Sequence, residues 1–151
     1  MAKGAFKFRY QSILDFNQQQ QKALEIELAR IDGEVLGCTE ALRRWQRARG
    51  LLLDRIAAAR RDGDLLENAN CARYLRHVRR QIEHHSAALE GAQQARERAR
   101  EQLEQAMRSC KALENYRDRL QRQFAAERER AEEKIIDLHS TSKYTRTEEA
   151  M

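Results

Sequence analysis

Residues 24–56 read LEIELARIDGEVLGCTEALRRWQRARGLLLDRI. Alternate steps of four and three from Leu24 land on Leu28, Ile31, Val35, Cys38, Leu42, Trp45, Arg49, Leu52 and Ile56. Of these ten positions only Arg49 is not apolar. An apolar residue every 3.5 positions, held for several heptads, marks a helix that buries one stripe against another helix. Run backwards, the same spacing reaches Gln21, Asn17, Leu14 and Tyr10, so the seam continues through two polar layers. Such layers lower stability but restrict register.

The pattern stops at Arg60-Arg61-Asp62-Gly63-Asp64. Glycine admits positive φ and aspartate accepts local backbone hydrogen bonds, which favours a turn. Asp64 is placed to cap a following helix, with Asn68 and Asn70 as alternatives. A second series runs Leu75, Val78, Ile82, His85, Leu89, Ala92, Arg96, Ala99, Leu103, Ala106, Cys110, Leu113, Arg117, Leu120, Phe124, Glu127, Ala131, Lys134 and Leu138. From Ser140 onward helix formers are poor and no seam is visible, so a frayed tail is expected.

The two series fit one all-α fold: two long helices forming an antiparallel coiled-coil hairpin, with the C-terminal helix overhanging. Helix 1 is expected at about 6–59, the hinge at about 60–64, helix 2 at about 65–139 and a tail at 140–151. All of it forms a single elongated domain, 1–151. A turn near Asp62 makes facing residues sum to about 124. Leu42 then meets Ile82, Val35 meets Leu89, Leu14 meets Cys110 and Tyr10 meets Leu113. Phe6 falls near residue 118, and beyond it helix 2 projects with Leu120, Phe124, Ile135, Ile136 and Leu138. A lone helix with an apolar stripe calls for a partner.

Composition agrees. Proline is absent, charged residues make up 35% and aromatics 6%, the profile of long helices rather than of a globule with a central core. Residues 1–30 hold no signal-peptide run, and nothing approaches a membrane span, so a cytoplasmic protein is expected. Cys38, Cys71 and Cys110 are odd in number and widely spaced, which reads as free thiols. Cys38 and Cys110 fall on seam positions and act there as small hydrophobes.

No phosphate-cradling glycine motif occurs, and a two-helix hairpin encloses no pocket for a nucleophilic triad. His77, His84 and His85 lack metal-site spacing to a carboxylate and read as solvated or partner-facing. Catalytic residues, cofactor and metal are all expected to be absent. The net charge of +5 is uneven: residues 43–80 hold 11 Arg against 4 acids. Arg43, Arg44, Arg47, Arg55, Arg73, Arg76, Arg79 and Arg80 gather near the hinge. They suit a solvated face, a contact with an acidic protein or anionic lipid, or nucleic-acid phosphates. No recognition motif or series of stacking aromatics supports the last.

The opening Phe6-Lys7-Phe8-Arg9-Tyr10-Gln11-Ser12-Ile13-Leu14-Asp15 resembles the start of the FliJ family of the bacterial flagellar export apparatus. Lys111-Ala-Leu-Glu-Asn-Tyr-Arg-Asp-Arg-Leu120, followed by an Arg/Glu-rich helix, is similar to that family's second half. The resemblance implies a non-enzymatic protein that binds the flagellar type III export ATPase in the manner of a rotor stalk. It also implies contacts with the membrane export gate protein and with export chaperones, and peripheral association with the cytoplasmic face of the membrane through those partners. Nucleic acid is not among them. Carried onto this chain, the ATPase-binding residues are Phe6, Phe8, Tyr10, Leu120 and Phe124. The gate-binding residues are Leu42, Trp45, Arg49, Tyr74, Val78 and His85. The equivalent stalk of a virulence type III secretion system and a nucleic-acid-binding coiled coil are the competing readings.

Overall fold

The computed structural model describes residues 4–150. They form two long helices packed against each other as a helical hairpin, with no strand among the described residues: α1 (Gln11–Asp62) and α2 (Leu65–Glu149). The ends of the expected 1–151 domain, residues 1–3 and 151, lie outside the described residues.

The turn is built from two adjoining caps. Gly63 has φ of +69°, and the Asp64 amide donates to the Ala59 carbonyl at 2.9 Å. This is the left-handed C-terminal cap that glycine closes without a Cβ penalty. Asp64 then starts α2. Its Oδ1 accepts from the Glu67 amide at 3.1 Å, and its carbonyl accepts from the Asn68 amide at 3.1 Å. Asp64 is therefore the cap, rather than Asn68 or Asn70. The turn is narrower than 60–64, because Arg60 and Arg61 remain helical and place their charge at the negative end of α1. Gly63→Ala should cost about 1 kcal/mol, the penalty for forcing a Cβ into left-handed backbone. A lowered midpoint in thermal denaturation, with helical content retained below it, is the expected reading.

The contacts divide the chain into two compact units. The turn-bearing unit is Lys22–Glu104. Its core holds Leu52, Ile56, Cys71, Leu75 and Val78, with Trp45, Ala48 and Ile82 packed against it. Farther from the turn, the same unit buries Ile31, Val35, Ala92 and Ala99. The heptad seam thus lies inward as expected, except Arg49, which is exposed. A guanidinium cannot be buried there without a partner, and the half-buried Ala48 packs in its place. Trp45 faces His77 with ring centroids 5.6 Å apart, and Arg55 pairs with Glu67 at 2.9 Å. Both pairs sum to 122, close to the expected register.

The second unit comprises the described residues of Met1–Gln21 and Gln105–Met151. Here α1 begins at Gln11, not near residue 6. Residues 5–8 are non-helical, and the Gln11 amide donates to the Phe8 carbonyl at 3.1 Å. Leu14 is 0% exposed and Cys110 3% exposed, and the Gln18 side-chain amide donates across to Glu114 at 3.4 Å.

Helix α2 also runs about ten residues past its expected end, so 140–149 is helical rather than a frayed tail. The Thr141, Thr145 and Thr147 hydroxyls donate to the Asp137, Thr141 and Lys143 carbonyls one turn earlier. These bonds satisfy the side chains without breaking the helix. Every residue from 125 to 150 is exposed, including the expected seam positions Glu127, Ala131, Lys134 and Leu138.

Candidate functional site

At the N-terminal end of the second unit, residues 5–8 fold over α2 with alternating side chains inward. Phe8 is buried, Phe6 and Tyr10 are half-buried, and Lys7 and Arg9 face solvent. Phe6 meets Phe124 with ring centroids 5.6 Å apart. Phe8 meets Tyr10 at 5.8 Å and Tyr116 at 6.0 Å, edge to face, and Tyr10 meets Tyr116 at 6.2 Å. These are the separations and tilts that aromatic quadrupoles favour. The Arg9 guanidinium lies 5.7 Å from the Tyr10 ring centre, and that of Arg119 lies 5.1 Å from Tyr116. Cations over ring faces of this kind hold the cluster's rim.

Four of the five residues assigned to ATPase binding thus lie in ring contacts: Phe6 pairs with Phe124, and Phe8 and Tyr10 group with Tyr116. Leu120 is half-buried one turn before Phe124 on α2. Phe6 reaches Phe124 rather than residue 118 because the extended segment spans more length per residue than a helix. Tyr116 joins the cluster although it belongs to no heptad seam. The alternation Phe6-Lys7-Phe8-Arg9-Tyr10 is the signal that exposes it, since a period of two marks extended chain rather than helix. Beyond the cluster, α2 carries exposed Ile135, Ile136, Leu138 and Tyr144.

The six residues assigned to gate binding all lie in the turn-bearing unit but differ in access. Val78 is 0% exposed and belongs to the core. Leu42, Trp45 and His85 are half-buried, and Tyr74 and Arg49 are exposed. Trp45, His77 and Tyr74 form a ladder, with Tyr74 stacked on His77 at 5.8 Å. A shallow groove lined by Ala41, Arg44, Trp45, Ala48 and His85 runs beside it. Val78 lies beneath this face, and the other five are at least partly accessible. His84 and His85 meet edge to face at 5.2 Å. No group of three or more potential metal ligands occurs among the described residues.

Charge is organised differently along the chain. Arg30 bridges Glu27, at 2.5 Å, and Glu34, and its hydrogen bond to Glu27 holds that carboxyl below its usual range. Arg128 reaches Glu132 at 3.5 Å. Burial pushes the Cys71 thiol up, reinforced by its hydrogen bond to Glu67, and burial does the same for Cys110. The protonated, unreactive form is favoured at both sites, as expected of packing cysteines. Cys38 is half-buried and Cys110 buried, as the seam implies. Cys71 lies in the core as well, one heptad step before Leu75.

No helix among the described residues is long and apolar enough to cross a membrane. The fold defines a helical hairpin protein, with an aromatic clasp in one unit and an arginine-flanked aromatic ladder in the other. The family model described as flagellar FliJ protein matches residues 6–149, and the chain belongs to the FliJ family, a family of flagellar export. Comparison with curated proteins and with solved structures finds no match.

Proposed function

We propose that this chain is an adaptor of the flagellar type III export apparatus: it binds the export ATPase like a rotor stalk and couples it to the membrane export gate and to export chaperones. The observation that carries this reading is the bare C-terminal helix. Residues 125–149 hold helical conformation with Ile135, Ile136, Leu138 and Tyr144 exposed, directly beyond a clasp that sets Phe6 against Phe124. Isolated helical segments are marginal in water, so a helix with exposed apolar side chains, Ile135 and Leu138 on one side, is suited to a groove on a partner. The clasp residues Phe6, Phe8, Tyr10, Leu120 and Phe124 set its base and supply the adjoining ATPase contact. Leu42, Trp45, Arg49, Tyr74 and His85, supported by Val78, supply the gate contact. The chain takes its place at the cytoplasmic face of the membrane through these partners.

A stalk stimulates an ATPase only if it binds some states of the ring better than others. The test is ATP hydrolysis by the export ATPase of the same organism with the full chain and with a truncation ending at Ala126, which keeps the clasp. Stimulation by the full chain and its loss on truncation is the expected result. Absence of both stimulation and co-elution with the full chain would sink the adaptor reading.

A further inference from the structure

Two segments of the turn-bearing unit stand out by the absence of acid. Residues 43–49 carry Arg43, Arg44, Arg47 and Arg49, and residues 73–80 carry Arg73, Arg76, Arg79 and Arg80. Neither segment contains an Asp or Glu. The Trp45–His77 ring contact sets the two segments against each other across the hairpin. All eight arginines are exposed, and none forms an ion pair among the described residues. On α2 the four arginines line one shallow surface recess. Elsewhere arginines alternate with glutamates, as in Glu127-Arg128-Glu129-Arg130, or bridge them, as Arg30 does. Glu40 is the one acid lining the recess of Arg43, Arg44 and Arg47, so arginine outnumbers acid there, and clustered like charge of this kind works against the folded state.

Helical spacing sorts the patch. Arg44 and Arg47 on α1 lie on the side of the hairpin that carries Tyr74, His77 and the groove beside Trp45. Arg73 and Arg80 flank Tyr74 and His77 on α2, and Leu51, 67% exposed, follows Arg44 and Arg47 by one to two turns. The result is a half-exposed aromatic ladder and an exposed leucine framed by guanidinium groups. That is the composition of a surface meeting a lipid headgroup layer, where aromatic rings and apolar side chains enter and arginines stay with the phosphates. Nucleic acid suits it less well. Phosphates would use the arginines, but the Tyr74 ring is already stacked on His77, and an exposed leucine adds nothing to base stacking.

We propose that this face docks directly on anionic phospholipid headgroups, with Arg44, Arg47, Arg73 and Arg80 binding phosphate and Tyr74 and Leu51 entering the interface. The contact requires neither the ATPase nor the gate protein, but it shares Tyr74 and the groove beside Trp45 with the proposed gate contact, so vesicle binding is measured with the chain alone. Trp45 is the only tryptophan of the chain and borders the face, so its emission reports docking.

The experiment uses the full chain with vesicles containing ~30% phosphatidylglycerol, against pure phosphatidylcholine vesicles, with co-sedimentation and Trp45 emission as readouts. Binding to the anionic vesicles alone is expected, with a blue shift, and with loss at ~0.5 M salt where screening shortens to a few ångströms. Arg73→Glu with Arg80→Glu should weaken partitioning by on the order of tenfold or more. Arg122→Glu with Arg130→Glu changes net charge equally in the other unit and should leave binding intact. Circular dichroism confirms that both variants fold. Three results would each overturn the proposal: no binding to anionic vesicles at low salt, equal weakening by the two variants, or capture by single-stranded RNA that vesicles fail to compete.

Discussion

Val78→Asp should unfold the turn-bearing unit. Val78 is fully buried, in a core completed by Leu52, Ile56, Cys71 and Leu75. No cation lies within that core, so the carboxylate would have to be buried unpaired or the two helices would have to separate. An uncompensated buried charge costs about 4 kcal/mol or more, a large share of the stability of an ordinary domain. Val78→Ala removes packing alone and should cost about 2 kcal/mol. Leu51→Asp supplies the control, since the same charge at an exposed site should change stability by about 0.5 kcal/mol or less. Thermal and urea denaturation followed by circular dichroism would rank the three. A Val78→Asp protein as stable as the parent would mean that the seam is not closed at this level.

The expected loss at Val78 follows from a seam that was plain in the sequence. Leu14, Ile31, Val35, Leu52, Ile56, Leu75, Val78, Ala92, Ala99 and Cys110 all sit on heptad steps, and all are buried. The turn was legible for the same reason that it works: only glycine takes the left-handed position cheaply, and an aspartate after it can cap the next helix. Arg49 shows where strict counting fails. Trp45, Leu52, Ile56 and Ala59 keep the heptad register, and only at one step does Ala48 turn inward in place of Arg49. The small apolar side chain fills the layer, and the neighbouring guanidinium stays in solvent. The helical tail was illegible because Ser and Thr are poor helix formers on average. The average omits the hydroxyl-to-carbonyl bonds that Thr141, Thr145 and Thr147 make here. Seam logic did hold there in another sense: with no apolar repeat opposite, that helix stays exposed.

Candidate contact residues were less legible than the fold, because heptads report what one helix shows another and nothing else. Tyr116 became part of the clasp only through a segment that is not helical. Val78, named as a contact residue, is the deepest part of a core. A residue assigned by likeness to a family can act by holding a surface in shape, and its substitution would then abolish binding without its ever touching a partner. The Val78 and Tyr74 positions separate the two cases. Loss of gate binding on Tyr74→Ala with unchanged thermal stability would mark contact, whereas loss on Val78→Ala should track the stability lost.

The clasp offers the second large effect. Phe8→Ala should free residues 5–8 from α2 at a cost of about 3 kcal/mol, near the low end for removing a buried phenylalanine. Low-end cost is expected because residues 5–8 can open locally without unravelling α1, whose first helical bond, from the Leu14 amide to the Tyr10 carbonyl at 3.0 Å, lies after the segment. Amide hydrogen exchange is therefore the proper readout: faster exchange at Gln11, whose amide is held by the Phe8 carbonyl, with little change at Val78 in the other unit. Phe6→Ala, at a half-buried ring, should have a smaller effect. Tyr116→Ala should mimic Phe8→Ala, because Tyr116 touches both Phe8 and Tyr10. Combining Phe8→Ala with Tyr116→Ala tests the cluster as a unit. The pair should lose less than the sum of its parts by about 1 kcal/mol, the coupling typical of edge-to-face rings. If the clasp sets the base of an ATPase-binding helix, Phe8→Ala should also reduce ATPase stimulation while co-elution through residues 125–149 persists. Strict additivity of the two substitutions would mean that Phe8 and Tyr116 are held separately, and that the aromatic contacts between them add nothing to the attachment of the N-terminal segment.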